Sequence, residues 1–239
     1  MSLSRFSTVL LTMLALAACS DEAAQSETPQ ATATPAAPQA SAPAPAPQPQ
    51  AAAQPASVVT PPAGYPDRFL GQPDAPVTVV EYASLTCIHC AYFHTQSLPT
   101  LKEKYINSGK VRWIFRDFPL DRLSLAGAQV ARCLPEDTYF KFVGLLFESR
   151  DRWLREDGDL GPLKQMAMLA GLSGEQADAC LTDTKLRDAI VAERLRAATT
   201  FKVQATPTVF IAGKAYAGDM AAQAMATALD QAIAASDAK

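Results

Sequence analysis

No apolar stretch in this chain is long enough to span a membrane. The one run of note, Phe6 to Ala18, holds 13 residues, whereas a spanning helix needs about 20. No transmembrane helix is expected in the mature protein. A basic excess is missing too: 21 Lys and Arg stand against 24 Asp and Glu, which leaves nothing to neutralise a phosphate backbone or build a broad basic membrane patch. Nucleic acid is not an expected partner. Histidine is scarce, at two residues, and neither a second C-x-x-C nor an H-x3-H occurs, so motif spacing supplies only half of a zinc site. Between Ser20 and Ser57 there is no glycine, no aromatic residue and no Lys or Arg, while eight prolines and 14 alanines crowd its 38 residues. Such a segment cannot build a core. The rest of the chain, 49% apolar overall, is not disordered throughout and suits one domain over residues 63–239.

What is present at the N-terminus reads as an address. Residues 1–18 carry one positive charge, Arg5, then Val9, Leu10, Leu11, Met13, Leu14 and Leu16, then small residues before Cys19. This is the layout of a removable signal peptide. Leu16-Ala17-Ala18-Cys19 also resembles the bacterial lipobox, which implies a lipidated Cys19 as the mature N-terminus, with several acyl chains on one residue giving a stable anchor. An ordinary signal with a chance cysteine, or a short buried helix, are the alternatives. The expected location is the periplasm, lipid-anchored to a bacterial membrane, where disulfides persist. Residues 19–62 then read as a disordered Pro/Ala-rich tether, of which Ser20 to Ser57 reaches roughly 35 Å as a coil and about 120 Å fully extended.

Val77-Thr78-Val79-Val80-Glu81-Tyr82 is a β-branched run after a turn-rich stretch and predicts a buried strand. A helix is expected to follow Cys87-Ile88-His89-Cys90 as far as Asn107, kinked at Pro99. A second strand is expected over Val111 to Phe118. Residues 120–200 then show only helical patterns, broken at Pro135, Gly158, Gly161-Pro162, Gly171 and Gly174. Strand signal returns at Thr208–Ile211 and Lys214–Ala217, and a last helix opens after Gly218 with Asp219 as its candidate N-cap.

The chemistry lies in Cys87-Ile88-His89-Cys90. A thiol is a nucleophile only as thiolate, and a helix N-terminus offers oriented N–H groups and positive dipole charge that favour it. Cys87 stands where a strand hands over to a helix, His89 can give the same sulfur a hydrogen bond or a charge, and Cys90 is near enough to close a small disulfide ring. The residue after Cys90 is Ala91, which excludes haem attachment. A zinc or copper site using Cys87, Cys90 and His94, or a purely structural cysteine pair, stays open on spacing alone. His94 itself reads as an exposed helix position.

Val79 to Cys90, joined to Ala205-Thr206-Pro207-Thr208, resembles the DsbA family of periplasmic thiol:disulfide oxidoreductases, over roughly Tyr65 to the C-terminus. The resemblance implies an α/β thioredoxin fold with an inserted all-helical domain at about 120–200, which suits the order of elements read above. Carried over residue by residue, it makes Cys87 the attacking cysteine, Cys90 the buried resolving one, and His89 the stabiliser of the thiolate. It makes Pro207 the cis-proline beside the dithiol, the Thr206 backbone the partner of a substrate strand, and Glu81 the carboxylate that assists proton transfer near the resolving sulfur. Two positions depart from the best-known members: Ile88 replaces proline, and Thr206 replaces a frequent valine.

Five cysteines then divide as one, two and two. With Cys19 lipidated and Cys87 paired to Cys90, Cys133 and Cys180 in the helical block are expected to form a structural disulfide; two separately buried thiols are the alternative. The function expected is donation of the Cys87–Cys90 disulfide to reduced exported proteins by a monomer without cofactor or metal, reoxidised by a membrane quinone-linked partner. A reductase or isomerase of the same fold, and a periplasmic copper or zinc module, are the competing readings.

Overall fold

The computed structural model describes residues 57–238. The signal peptide, Cys19 and the tether as far as residue 56 lie outside the described residues. Within the part of the tether that is described, Val58 to Thr60 are held to the body: Val58 is buried in a cluster with Val80, Tyr82, Ile114 and Phe210. Arg116 Nη1 donates to the Val58 carbonyl at 2.7 Å and Nη2 to that of Thr60 at 3.2 Å. Composition gave no sign of this, because the partner is a buried arginine 56 and 58 residues later in the sequence.

Five strands form one sheet: β1 (Arg68–Leu70), β2 (Val77–Ala83), β3 (Val111–Asp117), β4 (Thr208–Ile211) and β5 (Lys214–Ala215), in the order β1-β3-β2-β4-β5. β2 and β3 are parallel, with Glu81 opposite Phe115; the other pairings are antiparallel. β1 is a strand the sequence did not announce, since three half-buried residues carry no alternation. Gly71 closes it at φ +92°, where a Cβ would lie 2.4 Å from the Val111 carbonyl oxygen. β5 is shorter than expected and joins β4 through Ala212 and Gly213, both at positive φ, as a tight hairpin requires.

Alternation along the central strands separates two faces. Val77, Val79, Val111, Trp113, Val209 and Ile211 pack against Leu101, Tyr105, Met225 and Leu229. Val80, Tyr82, Ile114 and Phe210 face the other way, toward Ala197 and Val203. The helix after the dithiol runs through α1 (Ile88–Tyr92), a π-helical turn (Phe93–Ser97), α2 (Leu98–Leu101) and a second π turn (Lys102–Ile106). Pro99 does not break it. Having no N–H to give, it sits in the first turn of α2, where the preceding π turn has already shifted the hydrogen-bond ladder.

Between β3 and β4 lie the inserted helices α3 (Arg122–Cys133), α4 (Glu136–Glu148), α5 (Arg150–Trp153), α6 (Gly161–Leu169), α7 (Gly174–Thr182) and α8 (Thr184–Thr200). Their caps are local and legible: Asp121 accepts from Ser124 N, Ser173 and Gln176 form a capping box, and Asp183 accepts from Leu186 N. α9 (Ala222–Asp237) closes the chain. Its N-cap is Ala221, not Asp219, whose carboxylate instead accepts from Ala221 N at 2.8 Å.

Candidate active site

The loop between β2 and α1 is tied down before the first cysteine is reached. Ser84 Oγ and Ser124 Oγ lie 2.8 Å apart, Leu85 N donates to Ser124 Oγ at 3.0 Å, and Thr86 Oγ1 donates to Asp121 Oδ2 at 2.5 Å. From the insert, Arg150 donates twice to the Thr86 carbonyl, Nε at 3.1 Å and Nη2 at 2.9 Å. Asp121 thus serves two elements, one oxygen capping α3 and the other holding Thr86. Cys87 follows in extended backbone as the N-cap of α1.

Cys87 and Cys90 are both free thiols, Cys87 half-buried and Cys90 fully buried. The Cys87 thiol donates to the Thr206 carbonyl at 3.3 Å, and the Thr206–Pro207 peptide is cis. The Cys90 thiol, donating to the Cys87 sulfur, leads the effects that lower the Cys87 pKa to about 5. Partial burial opposes it. The Thr206 hydroxyl and the backbone N–H groups of Cys90 and His89 add to it. In the dithiol the Thr206 hydroxyl is buried without a partner, so ionisation of Cys87 gives it an acceptor. Burial pushes the Cys90 thiol the opposite way, far above the ordinary range, with the Cys87 sulfur and the Glu81 carboxylate adding to the effect.

His89 is exposed. Among the described residues no hydrogen bond joins its ring to Cys87; its backbone N–H does the work, leaving to the imidazole only the charge it carries when protonated. Glu81 is fully buried, with Trp113 Nε1 donating at 2.9 Å and His94 Nε2 lying 2.9 and 3.1 Å from its two oxygens. The expectation of an exposed His94 is therefore corrected. The ring is only 6% exposed, because His94, one helical turn after the buried Cys90, lies on Glu81 and packs against Phe147, 4.4 Å between ring centroids. Among the described residues no three His, Cys, Asp or Glu side chains converge to hold a metal ion.

A family model described as thioredoxin matches residues 65–231. The solved structure of Wolbachia pipientis alpha-DsbA1 is 33% identical, with a TM-score of 0.70, the match covering 75% of this chain and 96% of that one. The chain belongs to the DsbA-like thioredoxin-fold disulfide oxidoreductases. BdbD from Bacillus subtilis shares the fold at 22% identity and a TM-score of 0.63, over 70% of this chain and 93% of that one. A Rickettsia felis protein whose name assigns it, provisionally, as a protein-disulfide oxidoreductase is 31% identical over 168 residues, 70% of this chain. The chain spans 60% of that relative's length.

Within this DsbA-like frame, the fold brings Cys87, Cys90, Thr206, Pro207 and Glu81 together and adds four residues that sequence reasoning missed. Asp121 had a readable signal as the polar residue before a helical pattern. Ser124, Arg150 and Trp113 had none, because their partners are distant in sequence. Ile88 and Tyr92, 59% and 65% exposed, form one wall of an open groove of about 400 Å³ whose other wall is Phe147, Arg150 and Arg152. Cys133 and Cys180 lie apart from the dithiol, bonded to each other between α3 and α7. Gln129 Nε2 donates to the Cys180 carbonyl at 3.0 Å.

Proposed function

We propose that this protein donates its Cys87–Cys90 disulfide to reduced proteins after export. The observation that carries this reading is the opposed pair of sulfurs: Cys87, with a pKa lowered to about 5, beside Cys90, held as a buried thiol. A substrate thiolate attacks Cys87, a mixed disulfide forms and Cys90 leaves; a second substrate thiol then attacks, and Cys87 departs as a stable thiolate. A stable Cys87 thiolate stabilises the reduced protein, which makes the disulfide a stronger oxidant. His89 contributes through its charge, the Thr206 backbone beside Pro207 pairs with the substrate chain, and Glu81 supplies the proton that Cys90 needs.

The signal-like residues 1–18 and the lipobox-like Cys19 support a chain held on a tether at the periplasmic face of a membrane, and the DsbA kinship supports a monomer reoxidised by a quinone-linked membrane partner. Equilibration of the purified protein with glutathione tests the direction of exchange. An oxidase is expected well above the thioredoxin potential of about −270 mV, and a value at or below it would make the protein a reductase. In cells, Cys87→Ser is expected to lose all oxidase activity and Cys90→Ser to accumulate mixed disulfides with exported proteins. Mass spectrometry of the mature N-terminus is expected to find acyl chains on Cys19.

A further inference from the structure

Glu81 has no contact with solvent, and a carboxylate in such a place must be paired or protonated. Two side chains reach it. Trp113 leads nowhere, being fully buried and stacked on Phe93 with 5.6 Å between centroids. His94 keeps a contact with solvent: its side chain is 6% exposed where that of Glu81 is not exposed at all, and its ring packs on Phe147 beside the open groove along α1. Cys90 and His94 are four residues apart along the same helical stretch and so share a face, which sets the buried sulfur and the histidine around one carboxylate.

Resting on the disulfide-donor reading, we propose that His94 is a positioning residue that renews the Glu81 proton from solvent in each turnover. The substrate thiolate forms a bond to Cys87 Sγ, the Cys87–Cys90 bond breaks, and its electron pair stays on Cys90. Cys90, at 0% exposure, has no water to protonate it. The proton comes from the Glu81 carboxyl, which recovers one from the His94 imidazolium, which is reprotonated from solvent. The second substrate thiolate then displaces Cys87, which leaves as thiolate and needs no proton. Two substrate thiols are oxidised to a disulfide, the protein disulfide is reduced to one thiol and one thiolate, and one net proton is released.

The titratable groups facing this pair are Cys90 on α1 and Tyr139 on α4, whose buried hydroxyl has no partner and whose acidity Glu81 helps suppress. Glu148, Arg150, Asp151 and Arg152 stand on the groove rim.

The test is stopped-flow reduction of the full chain's disulfide form by dithiothreitol across pH 5 to 9. His94→Gln keeps a donor to Glu81 but cannot carry a proton; the rate near neutral pH is expected to fall by about tenfold or more, with one ionisation lost from the profile. His94→Ala is expected to lose the same rate and to recover at least half of it when imidazole is added, which a merely structural role would not allow. A His94→Gln profile matching the wild type, or a His94→Ala defect that imidazole leaves untouched, overturns the proposal. A wild-type chain whose glutathione equilibrium falls at or below the thioredoxin value overturns the disulfide-donor reading instead.

Discussion

Cys87 owes its acidity first to a neighbour's hydrogen bond, and this gives a prediction that separates two variants usually treated as equivalent. In Cys90→Ser a hydroxyl still donates to the Cys87 sulfur; in Cys90→Ala nothing does. A hydrogen bond to an ionised group contributes about 1.5–3 kcal/mol, so the Cys87 thiolate absorbance is expected to titrate about one to two pH units higher in the alanine variant. Equal titrations would remove Cys90 as the leading donor. The exposed His89 ring makes no hydrogen bond to Cys87 among the described residues, so any rise in Cys87 pKa in His89→Ser is expected to be a charge effect and to fade at high salt. The stability of the reduced protein relative to the oxidised one follows with a definite sign. A folded-state pKa lowered to about 5 stabilises the reduced form fully above the unfolded thiol value, and that gain is lost as pH falls through 5. Urea midpoints of the two forms, compared from pH 4 to 9, should diverge in favour of the reduced protein as pH rises.

At the scale of elements, the turn before the dithiol is held from the insert, through Asp121 and Arg150. Asp121→Ala removes an N-cap and the clasp on Thr86 together, and is expected to cost about 1–2 kcal/mol and to blur the Cys87 titration. Asp121→Asn, which can still cap α3, should lose less stability. The bridge between α3 and α7 spans 47 residues, so Cys133→Ala with Cys180→Ala is expected to lower stability by about 2–4 kcal/mol in urea while leaving dithiol exchange intact. The strands β2, β3 and β4 and the breaks between inserted helices were legible because β-branched runs, glycines and prolines act over a few residues. The dithiol was legible for the same reason. His94 was misjudged although its four-residue spacing from the buried Cys90 was readable, because the carboxylate it meets, Glu81, stands on β2, 13 residues away in the chain. Arg150 and Trp113 were invisible because each meets the site from more than 30 residues away in the chain.

For the molecule as a whole, the question is where tether ends and body begins. Composition puts the boundary at residue 62, where the prolines thin out, yet the sheet makes use of the residues just before it. Arg116 is fully buried on β3 and shared among Asp67, Tyr82 and the carbonyls of Val58 and Thr60. Its Nη1 also lies 3.7 Å from Glu193 of α8, so one guanidinium joins the N-terminal segment, the sheet and the last inserted helix. A buried guanidinium that loses acceptors must find water or leave its site. A protein starting at Pro62 therefore loses two charge-assisted hydrogen bonds and the burial of Val58, and is expected to be less stable than one starting at Ser57 by at least about 3 kcal/mol. The loss should be concentrated where α8 meets β3, and hydrogen exchange of the α8 amides should rise more than that of α4 or α6. Lys at 116 would not repair it, since one ammonium cannot reach both Asp67 and the two carbonyls in the fork geometry that arginine offers. If the two proteins unfold at the same urea concentration, the Val58–Thr60 strap is decoration and the body begins where composition puts it.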